Sequence, residues 1–144
     1  GLKLVQSVAR RYLKEQIIGE EFIQSSENVL DYLRHNLRDR VREVFLVVLL
    51  NGRNQVLDIV ELFEGTLSTS AVYPREVIKL ILEKDAAAVI FVHNHPSGNP
   101  NPSKDDQNLT QKLKAACSTI DVQLHDHLII AGNDYTSMAD KGMV

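Results

Sequence analysis

The chain has 144 residues, 44% of them hydrophobic, and Cys117 as its single cysteine, which suits one ordinary domain without an internal disulfide or a cysteine-cluster zinc site. No run of about eighteen apolar residues and no secretory signal occurs, so we expect a cytoplasmic protein that does not span a membrane. The formal charge of −3 argues against nucleic-acid binding by this chain, because it gives no overall attraction to a phosphate backbone.

The first two predicted elements are helices. Apolar residues recur at helical spacing from Leu4 to Leu13, which predicts an amphipathic helix that ends near Gly19. Ser25 or Ser26 is placed to cap a second helix. The predicted buried stripe of that helix is Val29, Leu30, Leu33 and Leu37. The basic residues that cluster in both segments are therefore interpreted as solvated helix faces rather than a DNA-binding patch.

A hairpin follows the helices. Residues 44–50 are an unbroken apolar run, which is typical of a central strand covered on both faces. Asn51-Gly52 predicts a tight turn, and residues 55–63 form the returning strand. A loop rich in Gly, Ser and Thr comes next. The hairpin therefore supplies the first two strands of the predicted sheet.

The second half alternates helices and strands. Pro74 opens a third helix, and residues 87–93 form a buried strand that ends abruptly in a loop rich in Pro, Asn and Gly. Ser103 begins a fourth helix, and residues 122–124 and 128–131 predict two short strands. The inner faces expected for the third and fourth helices are Val77, Ile78, Ile81 and Leu82, then Leu109, Leu113 and Ala116. This alternation predicts a layered α/β sandwich with a mixed sheet.

Two histidines and a carboxylate are spaced as ligands of one metal ion. His93 and His95 leave the end of a strand two residues apart, so both imidazoles point the same way. The proline-rich loop turns the chain back, and Asp106 lies one turn into the helix that Ser103 opens. Catalytic zinc takes three protein ligands and keeps a fourth position for water, whose pKa falls toward about 7. These residues therefore predict a site for one Zn²⁺ ion, chosen over other divalent ions because the ligands are two imidazoles and one carboxylate.

Each part of this pattern also has a structural interpretation. Ser103 and Asp106 alone fit a helix N-terminal capping pair. A single histidine at a strand end is usually structural. What favours a metal is the combination of a His-x-His pair, a turning loop and a carboxylate separated from the second histidine by ten residues.

The motif resembles that of a known family. His93 to Asp106 reads HNHPSGNPNPSKDD and is similar to the H-x-H-x10-D signature of the JAB/MPN metallopeptidases, also called JAMM. HNHPSG, together with FEGTLSTSAVYPRE at residues 63–76, resembles the RadC branch of that superfamily. The resemblance covers roughly residues 22–144. It implies a three-layer α/β sandwich of the cytidine-deaminase-like type, with a mixed central sheet flanked by helices.

The resemblance also implies a domain organisation. Residues 1–11 resemble the tail of the helix-hairpin-helix segment that precedes this domain in RadC proteins. We therefore expect residues 1–21 to be an N-terminal helix left from that segment and residues 22–144 to be the MPN/JAB domain. Contact with nucleic acid is expected only through the missing helix-hairpin-helix.

The family pattern assigns roles to individual residues. It implies that His93, His95 and Asp106 are the zinc ligands, and that the Ser103 hydroxyl steadies the tetrahedral intermediate. It also implies a glutamate just before the first central strand that takes a proton from the zinc water, and Glu43 matches that place. The implied reaction is metal-assisted hydrolysis of a peptide or isopeptide bond in an unidentified peptide or protein.

Spacing alone does not choose the catalytic glutamate. Glu61 and Glu64 are the other candidates, and Glu43 is preferred because a base must reach the metal water. The two later glutamates are expected at the far end of the hairpin.

Three alternatives compete with this interpretation. A second His-x-His, His125-Asp126-His127, has only Asp134 as a nearby carboxylate, so we interpret it as structural or as supporting the ligands from behind. A zinc deaminase would need H-x-E and P-C-x-x-C, and another zinc protease class would need H-E-x-x-H; neither pattern is present. The third alternative is a DNA-repair accessory with a non-catalytic metal site, suggested by the repair association of the RadC name.

Overall fold

The computed structural model describes residues 2–65 and 72–144 and contains, within these ranges, four helices and five strands. The predicted order of elements is confirmed as far as the fourth helix, while the predicted Gly/Ser/Thr loop falls largely on residues 66–71, outside the described residues. In chain order the elements are α1 (Leu2–Ile17), α2 (Ser26–Leu37), β1 (Glu43–Leu50), β2 (Val56–Gly65), α3 (Pro74–Lys84), β3 (Ala88–Asn94), α4 (Lys104–Ser118), β4 (Gln123–Ala131) and β5 (Asp134–Ser137).

The five strands form one mixed sheet in the order β2-β1-β3-β4-β5. β3 and β4 are parallel, and the other neighbours are antiparallel. Every residue of β3 is buried, as is every residue of β1 after Glu43, because both central strands are covered on both faces. The sheet therefore confirms the predicted continuous apolar strands and the mixed topology.

Helices cover the two faces of the sheet and create two hydrophobic cores. Alternate residues of β1 face opposite sides, so Leu46 and Val48 pack with α1 and α2. Phe45 and Val47 pack with α3 and α4 on the other side. This arrangement confirms the predicted three-layer α/β sandwich. It also brings His93, the second-last residue of β3, to the first turn of α4.

Two details of the predicted helix faces are wrong. Leu82 is 64% exposed, and Leu80 is buried beside Val77 and Ile81 in its place. A helix rotates about 100° per residue, so a buried row at positions 77, 80 and 81 turns position 82 toward solvent. Similarly, Cys117 is buried in α4, whereas Ala116 is only half-buried.

The predicted cap of α2 is also corrected. Ser25 occupies the N-cap position, but its side chain makes no capping hydrogen bond. Its Oγ donates instead to Glu21 O at 2.7 Å. The Ser25 hydroxyl therefore stabilises the turn that precedes α2, whereas the sequence pattern had predicted that it caps the helix.

The two short strands predicted near the C-terminus are a single strand, β4, followed by β5. The polar segment between them pairs with β3 through its backbone, which does not depend on side-chain polarity. The register skips one residue at His125, because Leu124 pairs with Val89 and Asp126 pairs with Ile90. This β-bulge separates the two histidines of the second His-x-His motif.

The helix α1 is only partly attached to the core. Ile17 belongs to the hydrophobic core between the sheet and the first two helices, and Leu13 packs against that core. Apolar residues nearer its N-terminus, Leu4, Val5, Val8 and Tyr12, are 57–66% exposed.

Among the described residues, no helix combines the length and the apolar character that crossing a membrane requires.

Candidate metal centre

The end of β3 delivers two histidines to one point. His93 lies within the strand and is fully buried, and Asn94 is its last residue. His95 N donates to Ile130 O at 2.9 Å, which continues the pairing with β4 by one residue. The extended backbone therefore directs the side chains of His93 and His95 to the same side.

The first turn of α4 delivers the carboxylate. Ser103 is the N-cap residue, and its Oγ accepts a hydrogen bond from Asp106 N at 3.0 Å. Asp106 Oδ2 accepts in return from Ser103 N at 2.8 Å. This capping box holds the Asp106 carboxylate in one orientation. The structural and the metal-binding interpretations of these two residues are therefore compatible, because the cap aims the carboxylate at the histidines.

The three side chains converge tightly. His93 Nε2 lies 3.0 Å from His95 Nε2 and 3.1 Å from Asp106 Oδ1. His95 Nε2 lies 3.0 Å from Asp106 Oδ2. One ligand atom from each residue lies within 4.8 Å of the others. The three residues that the motif singled out thus form a single cluster.

The charges of the cluster respond to this proximity. Burial raises the pKa of Asp106, but side-chain hydrogen bonds to His93 and His95 outweigh it and hold that pKa well below its usual value. The side-chain hydrogen bond to Asp106 raises the pKa of His95 against the opposing effect of burial. The Asn99 carbonyl and the negative charge of Glu43 raise it further. Asp106 is therefore ionised, and a proton on His95 takes part in its hydrogen bond.

The donor set fits a divalent metal ion. His95 Nδ1 donates to Asn99 O at 2.7 Å, so a neutral His95 has its lone pair on Nε2, inside the cluster. Tetrahedral ligands bound at about 2.0 Å would lie about 3.3 Å apart, close to the spacing seen here. Two imidazole nitrogens and a carboxylate oxygen could therefore hold a metal ion with little movement.

An open cleft of about 480 Å³ gives access to the cluster. Its lining includes Glu43, His95, Ser103, Asp105 and Asp106. His93 and Asp106 are buried beneath this cleft, whereas the side chain of His95 is 13% exposed. A substrate group entering from solvent would therefore meet the cluster from the side that Glu43 and Ser103 share.

Asn94 holds the backbone on both sides of Glu43. Its Oδ1 accepts from Val44 N at 2.7 Å, and its Nδ2 donates to Arg42 O at 3.0 Å. Asn94 is 3% exposed, so these bonds are shielded from water. The middle residue of the first His-x-His motif therefore ties the histidine strand to the start of β1, where Glu43 lies.

The expected position of the other two glutamates is wrong. Glu64 pairs with Val44 and therefore lies at the same end of the hairpin as Glu43, because β1 and β2 are antiparallel. Glu61 and Glu64 contact the Arg40 guanidinium at 2.8 Å and 3.7 Å. What distinguishes Glu43 from them is its place in the cleft lining, not the end of the hairpin on which it lies.

The second His-x-His motif does not form a ligand pair. His125 is exposed and its Nε2 lies 2.9 Å from Asn54 Oδ1. His127 is fully buried, and its Nε2 lies 2.7 Å from His93 Nδ1. Burial lowers the pKa of His127 well below its usual value, so the ring is neutral.

Two residues near the cluster were missed in the sequence. Thr110 Oγ1 lies 2.6 Å from His127 Nδ1 and donates to Asp106 O at 2.7 Å. Its signal was its position four residues after Asp106, which puts both on one face of a helix. Asn94, the other missed residue, gave no signal, because its partners lie about fifty residues away.

The fold and the cluster define a three-layer α/β domain that could hold one metal ion on two histidines and an aspartate. Comparison with known families identifies a match to the RadC-like JAB domain over residues 23–143. The chain therefore belongs to the RadC family, as its motif predicted.

Curated relatives support this assignment over almost the whole chain. A UPF0758 protein of Shewanella baltica strain OS185 is 44% identical over 143 residues, which is 99% of this chain. UPF0758 proteins of Shewanella sp. strain ANA-3 and Shewanella putrefaciens strain CN-32 are each 43% identical over the same share. The chain covers 64% of the length of each relative. The names of these relatives state no activity.

Proposed function

We propose that this chain is a metal-dependent hydrolase that cleaves peptide or isopeptide bonds in a peptide or protein substrate with one zinc ion. The observation that carries the proposal is the convergence of three ligand atoms within 4.8 Å beneath a cleft that Glu43 and Ser103 line. A JAB-like domain with such a cluster suggests a hydrolase. The ion would be held by His93, His95 and Asp106 and would supply Lewis acidity, which polarises a carbonyl and lowers the pKa of water.

Glu43 is proposed as the general base. It lies at the start of β1, in the lining of the same cleft as His95. The negative charge of Glu43 acts on the cluster electrostatically, because it raises the pKa of His95. A carboxylate in this position can accept a proton from water and return it to the leaving amine.

Ser103 is proposed to stabilise the developing oxyanion. Its Oγ accepts the Asp106 N–H at 3.0 Å, and a hydroxyl that accepts a hydrogen bond keeps its own proton to donate. The residue also lines the cleft, so that proton can reach an oxygen of the substrate. A donor of this kind is typically worth about 10²- to 10³-fold in rate.

Purified protein loaded with zinc tests the proposal against peptide and isopeptide libraries. We expect cleavage that depends on metal and is reduced more than about 10²-fold by Glu43→Gln, in line with general-base catalysis. Glu64→Gln is the matched control, because Glu64 lies at the same end of the hairpin but is not among the residues that line the cleft. Equal cleavage by the wild type and Glu43→Gln would exclude Glu43 as the base, and zinc binding without cleavage would exclude the proposed activity.

No contact among the described residues favours the DNA-repair alternative. Two of the basic residues in the N-terminal half, Lys14 and Arg40, are engaged by Asp58 and by Glu61. A gel shift that depends on salt, obtained with this chain alone, would support that alternative over the hydrolase.

A further inference from the structure

Three buried hydrogen bonds run behind the candidate metal ligand His93. His93 Nδ1 lies 2.7 Å from His127 Nε2, and His127 Nδ1 lies 2.6 Å from Thr110 Oγ1. Thr110 Oγ1 lies 2.7 Å from Asp106 O. The contacts therefore start at one candidate ligand, His93, and end on the backbone of another, Asp106.

The surroundings hold this series of contacts in place. The side chains of His93, Thr110 and His127 are all fully buried. The rings of Phe45 and Phe91 lie 5.9 Å and 6.1 Å from the His127 ring in edge-on geometry. On the far side, Thr110 Oγ1 lies 3.7 Å from Met138 Sδ. The His127 ring is therefore packed among neighbours that limit its rotation.

The series ends on an atom that can only accept, and this determines where the protons lie. A carbonyl oxygen has no proton to give, so the Thr110 hydroxyl donates to Asp106 O. The hydroxyl has only one proton, and its contact with His127 therefore requires a proton on His127 Nδ1. The His127 ring is fully buried and its nitrogens contact a second imidazole and a hydroxyl, so a positive charge on the ring would be unpaired; its Nε2 therefore carries the lone pair.

Counting protons at the next contact shows which ring nitrogen of His93 carries a proton. The lone pair of His127 Nε2 accepts a proton from His93 Nδ1. When a metal ion takes the place of the proton between His93 and Asp106, His93 has its lone pair on Nε2, which faces His95 and Asp106. The reverse order would leave oxygen lone pairs of Thr110 and Asp106 facing each other at 2.7 Å and would put a proton on the atom that must bind the metal.

We propose that Thr110 and His127 are positioning residues that hold His93 with Nδ1 protonated and with the Nε2 lone pair directed at the metal. Neither residue touches the metal position itself. The inference rests on the metal site of the proposed function but not on the hydrolysis that would follow from it.

Zinc affinity of conservative variants tests the proposal. Thr110→Val keeps the shape of the side chain but removes the acceptor for His127 Nδ1–H, so we expect a loss of about 10- to 100-fold in zinc affinity. Thr110→Ser restores the hydroxyl and should recover most of that loss. Thr136→Val is the matched control, because Thr136 is a buried threonine on β5, two strands from His93, and should leave affinity unchanged. Competition with a chromophoric chelator at fixed pH measures all four proteins.

Nuclear magnetic resonance of the wild-type protein gives a test that needs no variant. Long-range ¹H–¹⁵N spectra of the zinc-loaded protein should show His127 as the Nδ1–H tautomer and His93 protonated on Nδ1 only, which is the state that the proposal requires. The Nε2–H tautomer at His127, or equal affinity of Thr110→Val and the wild type, would overturn the inference and leave the proposed function standing. Absence of zinc binding by the wild type would overturn both.

Discussion

The two His-x-His motifs of this chain have the same spacing but different structures. His93 and His95 lie where a regular strand ends under the first turn of α4, and their rings meet Asp106. His125 and His127 lie inside β4, at a bulge that leaves one ring exposed beside Asn54 and the other buried behind His93. Spacing by two therefore produces a ligand pair only where the strand is regular and a third ligand faces it.

Removing one histidine from each motif should separate them most strongly. We expect His93→Ala to lower zinc affinity by more than about 100-fold, since even residues behind metal ligands are worth about 10- to 100-fold. His125→Ala should leave the affinity unchanged, because His125 contacts Asn54 rather than the cluster. Chelator competition and the zinc content of the purified proteins measure both effects. Zinc retained by His93→Ala and lost by His125→Ala would reverse the assignment of the two motifs.

The middle residues of the two motifs provide a stability comparison. Asn94→Asp keeps the acceptor for Val44 N but sets a carboxylate oxygen against Arg42 O, so we expect a loss of about 1–3 kcal/mol in the free energy of unfolding. Asp126→Asn should lower the free energy of unfolding by less, about 0.5–1.5 kcal/mol. The substituted side chain keeps one oxygen that can accept from the His127 and Ala139 N–H groups, and the position is only half-buried. Urea denaturation in the presence of a chelator measures both. A larger loss for Asp126→Asn would show that the C-terminal segment, not the start of β1, depends more on its motif.

The smallest expected effect is a pH dependence of stability that arises at His95 of the first motif. The folded-state pKa of His95 is raised above 6.5, chiefly by its hydrogen bond to Asp106. In metal-free protein its contribution to stability is therefore complete below pH 6.5 and is lost as the pH rises through the raised value. The difference in unfolding free energy between the wild type and His95→Gln should shrink between pH 6 and pH 9. A difference for His95→Gln that grows with rising pH would contradict the assigned pairing with Asp106.

Much of the fold and of the candidate site was readable from local patterns. The continuous apolar runs predicted β1 and β3, because strands covered on both faces need apolar residues at every position. The capping pattern at Ser103 predicted the start of α4, and the structure shows that the same capping box orients Asp106. The prediction that Leu82 is buried was wrong. A short helix with an extra leucine permits more than one apolar stripe, and packing against the sheet buries the stripe that contains Leu80.

The sequence by itself determined the elements as far as α4 and the cluster of His93, His95 and Asp106, because periodicity and spacing act over a few residues along one strand or one helix turn. Only the tertiary structure decided which glutamate shares the cleft, what lies behind His93 and how Asn94 joins two strands. Those contacts link residues 34 positions apart for His93 and His127 and 50 apart for Val44 and Asn94. They depend on strand order and register, and these follow from how the two cores pack on the sheet rather than from any local pattern.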